Sequence, residues 1–418
     1  MPTLPLPAHG AAWTDLRQRM AEAASGDLDW RSGRATRNAW VASPQVHHVA
    51  EEAFRLFQWD NGLYPSSFPS LKRFQEEAVA ITAGLLGGAA DSAGTLTTGG
   101  TESNFQACVA AREKARREGR VPAGRVPRIV APRTAHPSFD KAAWYLGMEV
   151  ARVPVGEIGR ADPAAMARAV DDATVMLVGS APCWPYGCVD PIEDIAAVAA
   201  ARGLWMHVDS CVGGFTLPFI RKLGREVPPF DLSVPGVDSM SADLHKYGFA
   251  AKGASVVLFR DEARKALTRF TFDDWPTGSY ATEVFNGTRT GGAISAAWAV
   301  LHHLGEDGYL KLTGRMLSAF DKIKAAVDAI PSLGIFGRPH AAVLPVVGRG
   351  IDVFAVAEAM EARGWTVSRC KEPPIIHLLL NPLHADIADR YVDDLRAAVA
   401  DVAAKSGAAR SREVSYAG

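Results

Sequence analysis

The sequence lacks the features that would indicate a membrane protein, a secreted protein or a nucleic-acid-binding protein. No apolar run reaches the roughly 18 residues that a membrane-spanning helix needs, so we expect no transmembrane segment. The first ten residues contain three prolines and no basic segment, which is not the pattern of a secretory signal. The formal net charge is −1, which provides no bulk attraction for nucleic acid or an anionic membrane.

Cysteine is scarce and its spacing predicts no disulfide framework. The five cysteines contain no C-x-x-C pair, and an odd, scattered set is typical of free thiols in a reducing cytoplasm. Cys183 and Cys188 could close a small loop, but reduced thiols are the preferred interpretation. The eleven histidines form neither H-x-x-x-H nor H-E-x-x-H, and no G-x-S-x-G elbow is present. We therefore expect a cytoplasmic protein with no metal site and no serine-hydrolase chemistry.

The composition is that of an ordinary globular chain, with 48% hydrophobic and 22% charged residues among 418. This length suggests more than one domain. We predict an N-terminal arm with helices (1–60), a large domain (61–300) and a small C-terminal α+β domain (301–418).

From residue 128 onward, short apolar segments alternate with helical patterns. Strand-like segments rich in Val, Ile, Leu and Met, separated by helices, predict a mostly parallel sheet covered on both faces. Ligands of such sheets bind beyond the carboxyl ends of the strands. Asp209 follows one predicted strand, and the loop that contains Lys246 follows the next.

A glycine- and threonine-rich turn precedes a predicted helix at residues 98–117. Gly100 would allow a ligand to approach the backbone, and Thr101 is placed to cap the helix. The first-turn N–H groups of a helix attract phosphate. A phosphate site and a plain capped helix are equally good interpretations of this segment alone.

Lys246 stands between a histidine and an aromatic residue, in Ser241-Ala242-Asp243-Leu244-His245-Lys246-Tyr247-Gly248. The apolar segments on either side suggest an amine held in a cleft. Partial desolvation there would lower the pKa of Lys246 and make it nucleophilic toward a carbonyl.

One cofactor accounts for four of these features together. Pyridoxal 5′-phosphate requires a lysine for the Schiff base, an acid at its pyridine nitrogen, a phosphate site and a flat partner for its ring. Lys246, Asp209, the turn at 98–103 and His136 supply these groups in turn. Individually, His136 could be a structural histidine and Asp209 a helix cap, but their joint occurrence at strand ends favours the cofactor.

These stretches resemble the pyridoxal-phosphate group II decarboxylase superfamily and, within it, the sphingosine-1-phosphate lyase family. The resemblance covers nearly the whole chain, from about residue 13 to about residue 400. The matching segments are 98–103, 135–143, 207–215, 241–253, Tyr280 with 287–292, 364–365 and 373–377.

The resemblance implies a type I aminotransferase-like fold and a homodimer whose active sites are shared between subunits. Cofactor phosphate would be held by Gly100, Thr101, Ser241 and His245 of one chain, and by the segment that contains Gly287 and Thr288 of the other. The implied catalytic residues are Lys246, His245, His136 and Asp209.

The implied reaction is a retro-aldol cleavage of a β-hydroxy amine or amino acid to an aldehyde and an amine. An L-amino-acid decarboxylase on the same scaffold is the alternative, because the sequence does not fix which bond at Cα breaks. A non-catalytic homologue that retains the cofactor is a third possibility, disfavoured by the intact Lys246, Asp209 and His136.

The substrate end departs from the lyase pattern in three places. This chain has Arg37-Asn38-Ala39-Trp40 for Gly-Ala-Val-Tyr, Asn61-Gly62-Leu63-Tyr64 for Asn-Pro-Leu-His, and Gly287-Thr288-Arg289-Thr290-Gly291 for Gly-Ser-Arg-Pro-Gly. The replaced Tyr and His are associated with the substrate phosphate. The residues proposed to contact substrate are therefore Arg37, Trp40, Asn61, Tyr64 and Tyr280, with Arg37 a candidate anion anchor.

Overall fold

The computed structural model describes residues 2–405 and 408–414. Its largest sheet has seven strands, and the central ones are buried along their whole length because they are built from apolar residues. The strands are β1 (Ala93–Thr97), β2 (Arg128–Pro132), β3 (Glu149–Val153), β4 (Thr174–Ser180), β5 (Trp205–Asp209), β6 (Ser239–Ala242) and β7 (Ser255–Phe259).

The spatial order of this sheet is β1-β7-β6-β5-β4-β2-β3. Strands β6, β5, β4, β2 and β3 pair in parallel, whereas β7 is antiparallel to both β6 and β1. The parallel strands therefore end at one edge, which is where polar side chains can meet a ligand. The mostly parallel sheet predicted from the sequence is confirmed.

Helices cover the sheet, and their ends follow ordinary capping chemistry. Helix α2, for example, begins with Pro44 directly after Ser43, whose hydroxyl accepts the Val46 N–H. The helices are α1 (Trp13–Ala23), α2 (Pro44–Phe57), α3 (Pro69–Leu85), α4 (Gly100–Arg117), α5 (Ser138–Leu146), α6 (Pro163–Ala169), α7 (Ile192–Ala201), α8 (Leu217–Lys222), α9 (Glu262–Lys265), α10 (Gly291–Asp328), α11 (Val353–Glu361) and α12 (His384–Lys405). Short 3-10 turns lie at Ala24–Gly26, Trp30–Ser32 and Ala266–Thr268.

A second, antiparallel sheet forms the C-terminal part of the fold, in the order β10-β11-β13-β12. Its strands are β10 (Leu333–Ile335), β11 (Val343–Gly348), β12 (Ser368–Cys370) and β13 (Ile375–Leu379). A small hairpin, β8 (Phe270–Phe272) with β9 (Tyr280–Thr282), lies between the two sheets in the sequence.

Several elements differ from the sequence prediction. Strand β1 was not predicted, because its AGTLT sequence is short and contains a single large apolar residue. Helix α9 and the β8–β9 hairpin were not identified from the sequence, because a four-residue helix and three-residue strands carry too little periodicity to detect. Helix α10 is interrupted at Gly305 (φ 56°, ψ −174°).

The predicted division at residues 60 and 300 stays a prediction. Helix α10 continues through residue 300, and the N-terminal segment contacts the C-terminal sheet, where the Leu379 N–H of β13 donates to Thr36 O at 3.0 Å. Within the described residues, no helix is both long enough and apolar enough to cross a membrane.

Candidate active site

A cavity of about 400 Å³ lies at the carboxyl edge of the large sheet. The ends of strands β2, β4, β5 and β6, with the turns that follow them, and the start of α4 supply its polar residues, as the parallel topology predicts. The lining residues are Thr98, Gly99, Gly100, Thr101, Glu102, Asn104, His136, Ser180, Pro182, Trp184, Asp209, Cys211, Val212, Asp243, His245 and Lys246.

Lys246 lies in the turn that follows β6, and Asp243 is its ion-pair partner. The Nζ atom of Lys246 is 2.9 Å from Oδ2 of Asp243, which is almost fully buried. Burial is the largest single influence and would lower the pKa of Lys246, but the neighbouring acidic groups, Asp243 first and Asp209 with it, together outweigh burial and raise the pKa. The expected lowering of this pKa is therefore wrong. The sequence argument considered desolvation and overlooked the acid three residues earlier.

Asp209 ends β5 and is a buried carboxylate, 7% exposed. Burial works against its charge, but the nearby His136 and Lys246 and the main-chain N–H of Cys211 lower its pKa. The Cys211 N–H donates to Oδ1 at 3.1 Å, and the Ser241 hydroxyl donates to the same atom at 3.4 Å. The result is a fixed negative charge that faces the cavity.

A chain of buried side chains holds the other oxygen of Asp209 in place. The amide of Asn104 in α4 donates to Asp209 Oδ2 at 3.1 Å. Its carbonyl oxygen lies 3.1 Å from His207 Nε2, and His207 Nδ1 lies 2.8 Å from the Ser239 hydroxyl. Burial lowers the pKa of His207 to about 4, so the ring is neutral. Sequence analysis missed Asn104; its position one turn into α4 was the available signal.

His136 follows β2 and lines the same cavity. Its Nδ1 accepts the N–H of Ser138 at 3.2 Å, so a neutral ring carries its proton on Nε2. Burial lowers the pKa of His136, with the charge of Asp209 acting in the opposite direction. The structure thus brings His136, Asp209 and Lys246 to one cavity, as the sequence predicted.

The turn before α4 differs in detail from its prediction. The residue that precedes the helix is Gly99, with extended backbone, so Thr101 belongs to the first turn and is not the cap. The capping contact comes instead from Glu102, whose Oε2 accepts the Thr98 N–H at 2.7 Å. The first-turn N–H groups border the cavity, as a phosphate site requires.

The residues present fit pyridoxal 5′-phosphate. A Cβ atom on Gly100 would lie 2.5 Å from Cys211 Sγ, so only glycine leaves the helix end open to the cavity. Asp243 Oδ1 and His245 Nδ1 are buried without a hydrogen-bond partner among the described residues, and both belong to lining residues. The buried charge of Asp209 suits a protonated ring nitrogen.

Other predicted site residues lie outside this cavity in the described chain. Asn61 and Thr288 are joined by a 3.3 Å hydrogen bond. The Tyr280 hydroxyl lies near Gly287, 3.9 Å from the position that a Cβ atom would take there. Tyr64 is 54% exposed.

Ser241 and Arg37 were also predicted to bind ligand. Ser241 is fully buried and contacts Asp209 and Cys211, so its hydroxyl supports the acid from behind the lining residues. Arg37 is exposed.

Trp40 is the predicted substrate contact that does approach Lys246. Its ring centroid is 5.9 Å from Lys246 Nζ and 4.5 Å from Lys252 Nζ. Burial and the charge of Lys246 lower the pKa of Lys252 to about 8. Trp40 and Lys252 also line an adjoining cavity of about 470 Å³. Lys252 was not singled out from the sequence.

Comparison with known proteins identifies the same chemistry. Residues 60–332 match the model of the pyridoxal-dependent decarboxylase conserved domain. The chain is 37% identical to mouse sphingosine-1-phosphate lyase 1 over 400 residues, which are 95% of this chain and 70% of the mouse protein. It is 36% identical over 351 residues to a probable L-tyrosine/L-aspartate decarboxylase of Methanothrix thermoacetophila, covering 84% of this chain and 87% of that protein.

Among solved structures, the sphingosine-1-phosphate lyase of Burkholderia pseudomallei superposes with a TM-score of 0.91 at 35% identity, covering 97% of this chain and 95% of that one. Fold, cavity and comparisons together define a pyridoxal 5′-phosphate-dependent lyase. The chain belongs to the pyridoxal-dependent decarboxylase family and is a sphingosine-1-phosphate lyase-like member of it.

Proposed function

We propose that the chain cleaves the Cα–Cβ bond of a β-hydroxy amine or amino acid, giving an aldehyde and a smaller amine. The observation that carries this proposal is a lysine–aspartate–histidine cavity in a chain 35% identical, over almost its full length, to a bacterial sphingosine-1-phosphate lyase. A phosphorylated long-chain amino alcohol is accordingly the first substrate class to test.

We assign the cofactor to the residues of the cavity. Lys246 would carry it, Asp209 would face its ring nitrogen, and His136 would lie against its ring. Gly100 and Thr101 would hold its phosphate at the start of α4. The chemistry that the bound cofactor supplies is an electron sink for the pair released when the Cα–Cβ bond breaks.

The proton from the β-hydroxyl needs an acceptor, and His245 is the best candidate. Burial lowers the pKa of its ring, so the ring is neutral, and its Nδ1 has no partner among the described residues. A neutral imidazole is a suitable general base at pH 7. The Asp243 carboxylate can stabilise a proton on either His245 or Lys246. Its Oδ2 lies 3.7 Å from His245 Nε2 and 2.9 Å from Lys246 Nζ.

We further propose a homodimer with shared active sites. Gly287, Thr288, Asn61, Tyr64 and Tyr280 lie away from the cavity of their own chain and could serve the cavity of a second copy. Arg37 would be tested with them, as an exposed anion anchor. The five free cysteines support a cytoplasmic location.

A decarboxylase is the second candidate, favoured by the 36% identity to the Methanothrix protein. The two reactions share Lys246, Asp209 and the cofactor. They differ in the bond at Cα that breaks, and therefore in the product released.

The deciding experiment is reconstitution with pyridoxal 5′-phosphate, followed by a screen of phosphorylated long-chain bases and L-amino acids. Aldehyde release supports the lyase, and carbon dioxide release without aldehyde refutes it. Lys246→Ala should abolish the visible absorbance of bound cofactor. Lys252→Met, the matched change at a neighbouring lysine, should retain it. Persistence of the band in Lys246→Ala would refute the assignment of the reactive lysine.

A further inference from the structure

A loop between β4 and α7 forms part of the cavity wall and has no role in the reaction described above. This loop, residues 182–188, is called here the Trp184 loop. Pro182 and Trp184 both line the cavity, and the Trp184 ring centroid is 6.0 Å from Lys246 Nζ.

The C-terminal sheet holds the Trp184 loop from the far side. Nε2 of His377, on β13, lies 2.9 Å from the carbonyl oxygen of Trp184. The Tyr186 hydroxyl donates to the carbonyl oxygen of Glu372 at 2.5 Å. The conformation of Trp184, in a loop that follows a strand of the large sheet, therefore depends on β13 and on the turn that precedes it.

His377 is suited to fixing Trp184 in a single orientation. It is fully buried, and burial lowers its pKa to about 4, so the ring is neutral. Because a carbonyl oxygen only accepts, the proton must lie on Nε2, and Nδ1 has no partner among the described residues. The two rings also contact each other, with centroids 5.0 Å apart and an interplanar angle of 38°.

Trp184 and Trp40 place two indole rings around the reactive amine. Their centroids lie 6.0 and 5.9 Å from Lys246 Nζ. The face of an indole carries negative electrostatic potential, so it attracts an ammonium group and repels a carboxylate. Lys252 Nζ already lies over the Trp40 ring, at 4.5 Å, so the repulsion of a carboxylate falls to Trp184. If the substrate amine takes the position of Lys246 Nζ, a carboxylate on the carbon that bears it would lie close to the Trp184 ring, whereas a hydrogen there would not be repelled.

We propose that Trp184 is a specificity-determining residue that disfavours substrates with an α-carboxylate, and that His377 is the positioning residue that holds it. This inference rests on the proposed function and makes it narrower. The preferred substrate is an amine without an α-carboxylate, and amino acids are the disfavoured class.

The test compares two ligands that differ only in this carboxylate, O-phosphoethanolamine and O-phospho-L-serine. Their dissociation constants are measured on the cofactor-loaded protein by the change in visible absorbance. The wild-type protein should bind phosphoethanolamine more tightly. Trp184→Leu should reduce the ratio of the two constants by roughly 3- to 30-fold, the range that contacts of a charge with an aromatic face span.

His377 is tested by a double-mutant cycle with Trp184. His377→Leu should reduce the ratio in the same direction, and His377→Gln, which keeps an N–H donor, should restore part of it. In the Trp184→Leu background, His377→Leu should change the ratio no further. The matched control is His384→Gln, a buried histidine of the same region that bonds to the main chain of Asn381 and should leave the ratio unchanged.

The possible failures are distinguishable. If the wild-type protein shows no cofactor absorbance band after reconstitution, the proposed function itself is refuted. A normal band with an unchanged ratio in Trp184→Leu would refute only the specificity role. Equal effects of His377→Leu in the presence and absence of Trp184 would refute the positioning role. If His377→Leu does not fold, Trp184→Leu still tests the specificity role. The positioning role is then tested by His377→Gln, made both in the wild-type protein and in Trp184→Leu.

Discussion

The space around Gly100 leads to a quantitative prediction for Gly100→Ala. The added Cβ would lie 2.5 Å from Cys211 Sγ and 2.9 Å from both carboxylate oxygens of Asp243. Neither neighbour can move freely, because the Cys211 thiol donates a hydrogen bond to the Ser241 hydroxyl and the buried Asp243 carboxylate is paired with Lys246. The first turn of α4 or the Asp243–Lys246 pair must therefore shift.

Overpacking of this kind costs about 1–3 kcal/mol. The gain in helix propensity from glycine to alanine is at most about 1 kcal/mol, and it is smaller in the first turn. A net cost of about 1–2 kcal/mol remains. If it falls on the cofactor-bound state, the affinity for pyridoxal 5′-phosphate decreases roughly 5- to 30-fold.

The assay is an equilibrium titration with pyridoxal 5′-phosphate, paired with urea unfolding to detect a general loss of stability. Gly99→Ala is the matched control, because its Cβ would meet only His245 Cε1 at an ordinary 3.5 Å. Adding Cys211→Ala to Gly100→Ala should recover part of the affinity, since it removes the shortest contact. If Gly100→Ala binds the cofactor within twofold of wild type and unfolds at the same urea concentration, the reasoning is wrong.

Three further predictions concern charge. Asp209→Asn keeps the shape but removes the buried charge, so kcat/KM should fall about 100-fold or more with little change in Tm. Affinity for a phosphorylated amine should weaken as pH rises through about 8, where Lys252 loses its proton, and Lys252→Gln should flatten this KM profile. Stability should fall as pH drops from about 6.5 toward 4, since three buried histidines have pKa values near 4 and the unfolded chain binds more protons over that range. Each histidine lowers the free energy of unfolding by up to about 1.4 kcal/mol per pH unit, and urea unfolding at pH 7, 6 and 5 measures the total loss. Burial raises the pKa of Asp190 to about 6, so this carboxyl acts in the opposite direction and offsets the effect of one histidine. The histidines are His207, His377 and His384.

The parallel sheet and the cofactor could be predicted because their signals are local. A strand that ends in Asp209 and a loop that contains Lys246 are visible as short apolar runs followed by polar residues. Pyridoxal 5′-phosphate, predicted from the site residues, and the lyase assignment, implied by the resemblance, are both confirmed by the comparisons.

The electrostatic environment could not be predicted in the same way, since it depends on distances between residues far apart in the sequence. Lys246 is an exception, since Asp243 lies only three residues earlier in the sequence. The sign of its pKa shift still depends on the balance between burial and the charges of Asp243 and Asp209, which only the folded geometry sets. Asn104 and His207 meet through tertiary packing alone. The contact between His377 and Trp184 likewise joins two sheets that the sequence presents as separate units.

Strand β1 has a consequence for the order in which the protein assembles during synthesis. It directly precedes the turn before α4 that we propose holds phosphate, yet its partner in the sheet is β7, and the pairing of Ala93 with Phe259 joins residues that are far apart in the sequence. Pairings between distant segments form late, because the loop between them must first close. A ribosome-bound chain that has not yet emerged through residue 259 therefore contains β1 and the turn before α4, but it lacks β7, the strand with which β1 pairs. We expect a nascent chain to acquire the cofactor only after β7 and the Lys246 loop have left the ribosome.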